Sequence, residues 1–393
     1  MVTESPSHHE LPTPTAEMQA IESRLTAHIA QHIQDNAGFI SLRDFMQDAL
    51  YTPGLGYYSA GLHKFGPQGD FITAPETSAL FSRCIARQCQ EVLVAIPDGD
   101  ILEAGAGSGR LAADCLAELE QLDCLPRRYL ILELSPSLRS QQQQTLQDSV
   151  PQLLDRVEWL DTLPDEFTGV VLANELLDAM PVEQFCVQQD RVLQSGVGLQ
   201  NDELVWRFRE NTELENQVND IASALGQPFA NGYRSEINLE ACAWVSSMAE
   251  RLKHGVMLFI DYGHSRSEFY HPQRQQGTLR CYYRQRVHDN PLILIGLQDI
   301  TAHVDFTAIA ETAHAAGLHV NGYTTQAHFL LSLGIEHMLS PQASTTEQLQ
   351  QSQEIKKLVM PGEMGERFKV IALSHGFDTL LKGFILQDHR SKL

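Results

Sequence analysis

Five carboxylates in this chain stand where chemistry is done in an α/β protein. Glu103, Glu133, Asp161, Glu175 and Asp261 lie within or just after short apolar runs, such as Tyr129-Leu130-Ile131-Leu132 and Val170-Val171-Leu172-Ala173. Runs of that length read as buried parallel strands, and ligands bind outside the carboxyl ends of such strands. After Glu103 comes Ala104-Gly105-Ala106-Gly107-Ser108-Gly109, a turn whose glycines let the backbone lie close against a nucleoside. Glu133, at the next tip, sits where ribose hydroxyls need an acceptor; the competing reading is a plain surface carboxylate. Asp161 can accept from an adenine amino group or can simply face solvent.

Spacing narrows the cofactor without closing the question. Gly105-x-Gly107-x-Gly109 behind an acidic residue has the arrangement of S-adenosylmethionine sites, whereas dinucleotide sites favour G-x-G-x-x-G. Gly107-x-Gly109-x-x-Ala112 fits the looser dinucleotide pattern as well. The motif alone therefore says nucleoside cofactor.

Asn174-Glu175-Leu176-Leu177-Asp178 follows the fourth strand, the usual neighbour of the reacting group. Asn174 can serve merely as a helix N-cap, with Glu175 and Asp178 complementing the helix dipole. Beside a sulfonium, however, two such carboxylates suit an arginine substrate. A guanidinium is delocalised and always charged, so it is a poor nucleophile. Carboxylate contacts can hold it, localise its charge on one nitrogen and aim the other at a methyl carbon. Asp261 is the next candidate for that role. Asp299, His303 and Asp305 form a superficial metal set, but with no second ligand cluster the segment reads better as a substrate-facing loop. Neither a G-x-S-x-G elbow nor a P-loop lysine is present.

The elements that must position these residues follow from the wider pattern. A length of 393 residues suggests two domains, or one with large insertions. With 43% hydrophobic and 20% charged residues, the chain can bury a sizeable core. The sequence has no apolar run long enough to span a membrane. A net charge of −22 argues against a nucleic-acid partner and is compatible with a basic protein or peptide. Seven scattered cysteines without a C-x-x-C pair read as small core residues in a reducing compartment. The first fifteen residues have neither a secretory nor a presequence pattern, so a cytoplasmic location with a disordered tail over 1–16 is expected.

Residues 17–98 read as a helical and loop cap. Apolar spacing predicts helices over 17–33 and 42–50, and a glycine- and aromatic-rich segment, 56–76, leads into a third. Thr73-x-x-Glu76 has the form of a capping box, with Pro75 in the first turn. A helix start there could face the carboxylate of a bound methionine moiety, which makes Thr73 and Pro75 candidate cofactor contacts. From residue 99 onward strands and helices alternate. Insertions at about 184–250, period two in its first part, and at about 265–300 interrupt the alternation.

Gly56-Tyr57-Tyr58, Lys64-Phe65-Gly66, Gly69-Asp70-Phe71-Ile72-Thr73-Ala74-Pro75-Glu76, Glu103 to Gly109, Asn174 to Ala179, Asp261-Tyr262-Gly263 and Gln298 to Phe306, in that order, resemble the MidA-like methyltransferases. The resemblance runs from about residue 20 to 375. It implies S-adenosyl-L-methionine as cofactor and a seven-stranded Rossmann-like α/β sheet with an N-terminal helical cap and an inserted strand and helix region on the substrate side. Mitochondrial members of the family are assembly factors for respiratory complex I that symmetrically dimethylate an arginine of one of its subunits, which implies a protein arginine substrate here. In this reading Glu103, Gly105, Gly107, Gly109, Glu133, Asp161, Asn174, Thr73 and Pro75 hold the cofactor, and Glu175, Asp178 and Asp261 act on the substrate. No metal is expected. Two other classes stay open on the residues alone, a nicotinamide oxidoreductase sharing the glycine turn and an assembly chaperone that binds cofactor without turnover.

Overall fold

The computed structural model describes residues 11–61, 73–339 and 344–393. The expected cap loop over 62–72 and the first ten residues of the expected tail lie outside them. Contacts divide the chain into two compact units. One comprises Ile72–Leu177, Cys242–Ser265 and Phe306–Leu393; the other comprises Met1–Phe71, Asp178–Ala241 and Arg266–Asp305.

The first unit is an α/β layer structure. Among its described residues, seven strands form one sheet: β1 (Asp100–Ala104), β2 (Tyr129–Leu132), β3 (Val157–Leu160), β4 (Phe167–Asn174), β5 (Leu252–His264), β6 (His319–Thr325) and β7 (Phe368–His375). Their order across the sheet is β3-β2-β1-β4-β5-β7-β6. The first five pair in parallel, while β7 runs antiparallel to both β5 and β6. β1 is buried along its whole length, and β4 nearly so, as expected of strands covered on both faces. The strand order reverses between β1 and β4, which puts the ligand crevice at their carboxyl ends.

Helices Ala79–Ala95 and Arg110–Gln121 cover the sheet with apolar faces that include Phe81, Cys84, Ile85, Leu111 and Leu116. Buried Glu118 receives both Arg83 and Arg87, at 2.6 and 3.0 Å, and so ties the two helices together. All seven cysteines are free, and five of them are buried.

The expected capping box does not form. Thr73 makes no side-chain cap bond, and the helix it should start is a single turn, Ala74–Thr77. Ser78 caps the long helix instead, its hydroxyl accepting from Leu80 N–H. Glu76, the other half of the box, is engaged by the Ser108 hydroxyl. A tertiary partner has outcompeted the local one.

Among its described residues, the second unit contains helices Ala16–Asp35, Leu42–Tyr51 and Thr212–Leu225 and two small antiparallel sheets. Strands 183–188, 191–200 and 203–209 are joined by two-residue turns at Gln189-Asp190 and Asn201-Asp202. All four turn residues have positive φ, between 52° and 63°. That is the left-handed backbone a tight hairpin requires, which Asn and Asp tolerate well. Strands 280–283, 286–288 and 299–301 form the other sheet.

Candidate cofactor and active site

The glycine turn leaves β1 with Gly105, Gly107 and Gly109 at φ of 71°, 53° and 83°. The three glycines do different work. A Cβ on Gly105 would meet Leu176 Cδ1 at 3.0 Å, and one on Gly109 would meet Gln142 Cα at 3.0 Å, so these two answer to packing within the protein. Gly107 is held by its carbonyl, which accepts from Gln142 Nε2 at 3.0 Å. Thr145 Oγ1 donates to the next carbonyl, that of Ser108, at 2.8 Å. One face of helix Pro136–Ser149 thus grips the turn. The Ser108–Glu76 bond brings the short Ala74–Thr77 turn, with half-buried Thr73 and buried Pro75, to the same place.

Glu103 turns its side chain into the interior. It is 3% exposed, and its Oε2 accepts from the Tyr129 hydroxyl at 2.6 Å. Burial, reinforced by the negative charge of Glu133 and opposed by the Tyr129 bond, pushes its pKa up to about 7. Glu133 ends β2. Its Oε1 accepts from Ser135 N–H at 2.9 Å and its Oε2 from Gln142 Nε2 at 2.9 Å. Both oxygens of the carboxylate are thus held from the protein side. Asp161 is largely exposed and paired with Arg139 at 2.7 Å. The same Arg139 nitrogen reaches the carbonyls of Glu133 and Leu160, tying the ends of β2 and β3 together.

At the end of β4 the expected helix is absent. Residues 175–180 run as bends and turns, which removes the reading of Asn174 as a helix cap and of Glu175 and Asp178 as dipole partners. Glu175 instead holds φ of 53°, an uncommon conformation for a residue with a side chain. Backbone contacts fix it there: Glu175 N–H donates to Ile260 O at 2.9 Å, and Leu177 N–H donates to Asp261 Oδ2 at 2.9 Å. Asp261 is 1% exposed and also receives Tyr262 N–H. Asn174 Nδ2 reaches Glu175 Oε1 at 3.2 Å. Asn174 Oδ1 is buried and finds no hydrogen-bond partner, a strong acceptor left open.

These features fit S-adenosyl-L-methionine. A left-handed glycine turn, a carboxylate at the second tip and an unpartnered amide oxygen at the fourth all stand at one end of one sheet.

The second unit holds the other expected residues. Asp178 is buried, and its carbonyl accepts from Ala302 N–H at 3.0 Å. Asp299 Oδ1 accepts from the Tyr58 hydroxyl at 2.9 Å. Burial, followed by the charge of Asp299, raises the Tyr58 pKa well above its usual value. The Tyr51 ring stacks on that of Tyr58, with 5.4 Å between centroids. Asp305 pairs with Arg266 at 3.4 Å, and His303 N–H donates to Thr278 Oγ1. Among the described residues no group of three or more His, Cys, Asp or Glu is arranged to hold a metal ion, and no helix is long and apolar enough to cross a membrane.

Gln142, Thr145 and Arg139 were not among the residues singled out from the sequence. One signal could have found Gln142: with Leu138 and Leu146 it completes the buried stripe of its helix, and a glutamine in such a stripe must be satisfied inside the protein.

A family profile described as "Putative S-adenosyl-L-methionine-dependent methyltransferase" matches residues 84–324. The chain is 28% identical, over 90% of its length and 87% of the relative's, to the protein arginine methyltransferase NDUFAF7, mitochondrial, of Danio rerio. It is 28% identical, over 88% of its length and 86% of the relative's, to the homolog from Caenorhabditis elegans. Among solved structures, it superposes with a TM-score of 0.93 on a Burkholderia thailandensis protein crystallised with S-adenosyl-homocysteine. The two are 40% identical, and the match covers 98% of this chain and all of the other.

Proposed function

The chain belongs to this family of S-adenosyl-L-methionine-dependent methyltransferases, and we propose that the group it methylates is an arginine nitrogen of a protein substrate. The observation that carries the proposal is Glu175, a carboxylate fixed in a left-handed backbone at the end of β4 and bonded to Asn174. Non-glycine residues in such conformations cost on the order of 1–3 kcal/mol and persist where the surroundings impose them, commonly at functional sites. The names of the relatives, protein arginine methyltransferases at 28% identity, support the same substrate. The family resemblance makes the subunits of respiratory complex I the first proteins to try.

When bound, S-adenosyl-L-methionine supplies an electrophilic methyl group. The chain's own residues do the rest. Gly107 lets the backbone approach the nucleoside, Glu133 takes the ribose hydroxyls, and Asp161 meets the adenine edge. Asn174 Oδ1 accepts from a donor on the methionine end, where Thr73 and Pro75 also contribute. Glu175 accepts from the guanidinium and draws its positive charge to one side, freeing the lone pair on the opposite nitrogen. As the new N–C bond forms and the S–C bond breaks, the guanidinium sheds a proton from the nitrogen that Glu175 holds, and that carboxylate accepts it. Asp178, three residues further along, is the second carboxylate assigned to the substrate. Asp261, bonded to two backbone N–H groups, is a positioning residue that holds the Glu175 segment.

The test is transfer of labelled methyl from S-adenosyl-L-methionine to proteins of a cell lysate, with the labelled residue located by mass spectrometry. Label on arginine supports the reading. Label confined to lysine, a carboxylate or a small molecule overturns it.

A further inference from the structure

We propose that Gln142 is a positioning residue of the ribose subsite, which locks the Glu133 carboxylate to the glycine turn so that both meet the sugar in one fixed geometry. The proposal rests on the reading of Glu133 as the ribose acceptor.

Gln142 is completely buried. Its Nε2 donates to Glu133 Oε2 at 2.9 Å and to Gly107 O at 3.0 Å, while its Oε1 accepts from Trp159 Nε1 at 3.0 Å. Those partners lie on three elements: the tip of β2, the turn after β1, and β3. An indole N–H can only donate, so Trp159 fixes which end of the amide carries oxygen. The NH2 group is thereby forced to face two acceptors, and each of its hydrogens has one. Turning the amide over would set its oxygen against two other oxygens and its NH2 against the indole N–H. Only one orientation satisfies all four groups, and buried polar groups left unsatisfied are expensive.

Two features show that this network does more than fill the core. Leu138 and Leu146 flank Gln142 on the same buried stripe, so an apolar residue would suit the packing. Furthermore, Thr145 on the adjoining face bonds the Ser108 carbonyl, so helix Pro136–Ser149 holds two successive carbonyls of the turn. Glu133 Oε1 is already fixed by Ser135 N–H. Gln142 supplies the second restraint, after which the carboxylate plane cannot rotate. A carboxylate held by both oxygens meets the sugar hydroxyls without losing rotational freedom on binding, which is the gain from preorganisation.

The experiment compares S-adenosyl-homocysteine with its analogue lacking both ribose hydroxyls, by calorimetric titration of the full chain. The wild type, Gln142→Met, Trp159→Phe and Glu133→Gln are measured side by side. Wild type should prefer the hydroxylated ligand by about tenfold or more, the usual effect of hydrogen bonds to a charged acceptor. Gln142→Met should lose most of that preference by binding S-adenosyl-homocysteine more weakly while binding the analogue almost as before. Trp159→Phe, which removes the indole bond to Gln142 and neither bond from Gln142 to Glu133 or to the turn, should lose a smaller part of it, and it carries the test should Gln142→Met fail to fold. Equal weakening toward both ligands, or unchanged preference in both variants, would overturn the positioning role and leave Gln142 as a packing residue. If Glu133→Gln keeps the full preference, the assignment of Glu133 itself fails, an outcome distinct from failure of Gln142 alone.

Discussion

The two ends of the parallel sheet treat charge in opposite ways. At the amino end of β1, Asp100 accepts from Arg127 at 2.6 and 2.9 Å and from Arg128 at 2.8 and 3.1 Å. Burial raises its pKa, but those bonds outweigh burial and hold it below the usual carboxylate range. At the carboxyl end of the same strand, burial, reinforced by the neighbouring carboxylate Glu133, pushes the Glu103 pKa up to about 7. The same end leaves Asn174 Oδ1 unpartnered and holds Glu175 at positive φ. One end is arranged for its own stability. The other stores like charge, an open acceptor and backbone strain, and these become favourable only against a ligand. Sheet geometry alone would not distinguish the ends; their electrostatics do.

The contrast can be broken by substitution. The largest effect is expected at the carboxyl end, from Gly107→Val. A branched side chain there both strains the left-handed backbone and occupies the space of the nucleoside. Calorimetry should show no binding of S-adenosyl-homocysteine, while the circular dichroism spectrum stays that of the wild type. Near-normal affinity would mean that the glycine serves only the turn.

Glu103→Gln comes next, and the sign of its effect depends on pH. A carboxyl whose pKa is raised on folding favours the native state at low pH, and that advantage is lost as pH climbs from the unfolded value near 4.5 to the folded value near 7. At about 1.4 kcal/mol per pKa unit, the span is roughly 3 kcal/mol as an upper bound. Glutamine does not ionise, so the melting temperature of the variant relative to wild type should rise between pH 5 and pH 8, read by thermal denaturation across that range. A constant difference would place the Glu103 pKa in the ordinary range.

The smallest effect belongs to the amino end. Asp100→Asn weakens bonds to two half-exposed arginines, which should cost about 1 kcal/mol at neutral pH. The sign here is reversed. A carboxylate with a lowered pKa stabilises the fold above its unfolded value and loses that contribution as pH falls through the folded one. Asp100→Asn should therefore differ most from wild type at pH 7 and converge with it in acid, with S-adenosyl-homocysteine affinity unchanged throughout.

Much of this arrangement was legible in the residues. β1, β2, β4, β5 and β7 announce themselves as apolar runs, and the acid–glycine pattern after β1 marks the crevice. The hairpins after Gln188 and Gln200 could be read from period two and from Asp and Asn in the turns. What local reading missed was decided by distant partners. Thr73 and Glu76 spell a capping box, yet Ser108 claims Glu76. Asn174 to Asp178 has the composition of a helix start, yet Asp261 and the Ile260 carbonyl, more than eighty residues away, hold it as a bend. Gln142 lies in a run of four glutamines, where only its place on the Leu138–Leu146 stripe sets it apart, and the proximity of β2, β3 and the turn makes its amide a structural centre. Asp299 shows the same limit, because its bond to Tyr58 spans most of the chain.

The central claim is that the strained carboxylate at the end of β4 acts on the substrate and not on the cofactor. With no helix beginning at Asn174, Glu175→Gln removes charge at nearly constant shape and without a helix-dipole term to confuse the outcome. The decisive measurement is the methyl-transfer rate and the S-adenosyl-homocysteine affinity of Glu175→Gln, taken together, with Asp178→Asn in parallel. Loss of charge localisation in the transition state should lower turnover on the order of a hundredfold or more, with cofactor affinity within about twofold of wild type. Turnover near the wild-type rate, or a loss matched by an equal loss of cofactor affinity, would contradict the account.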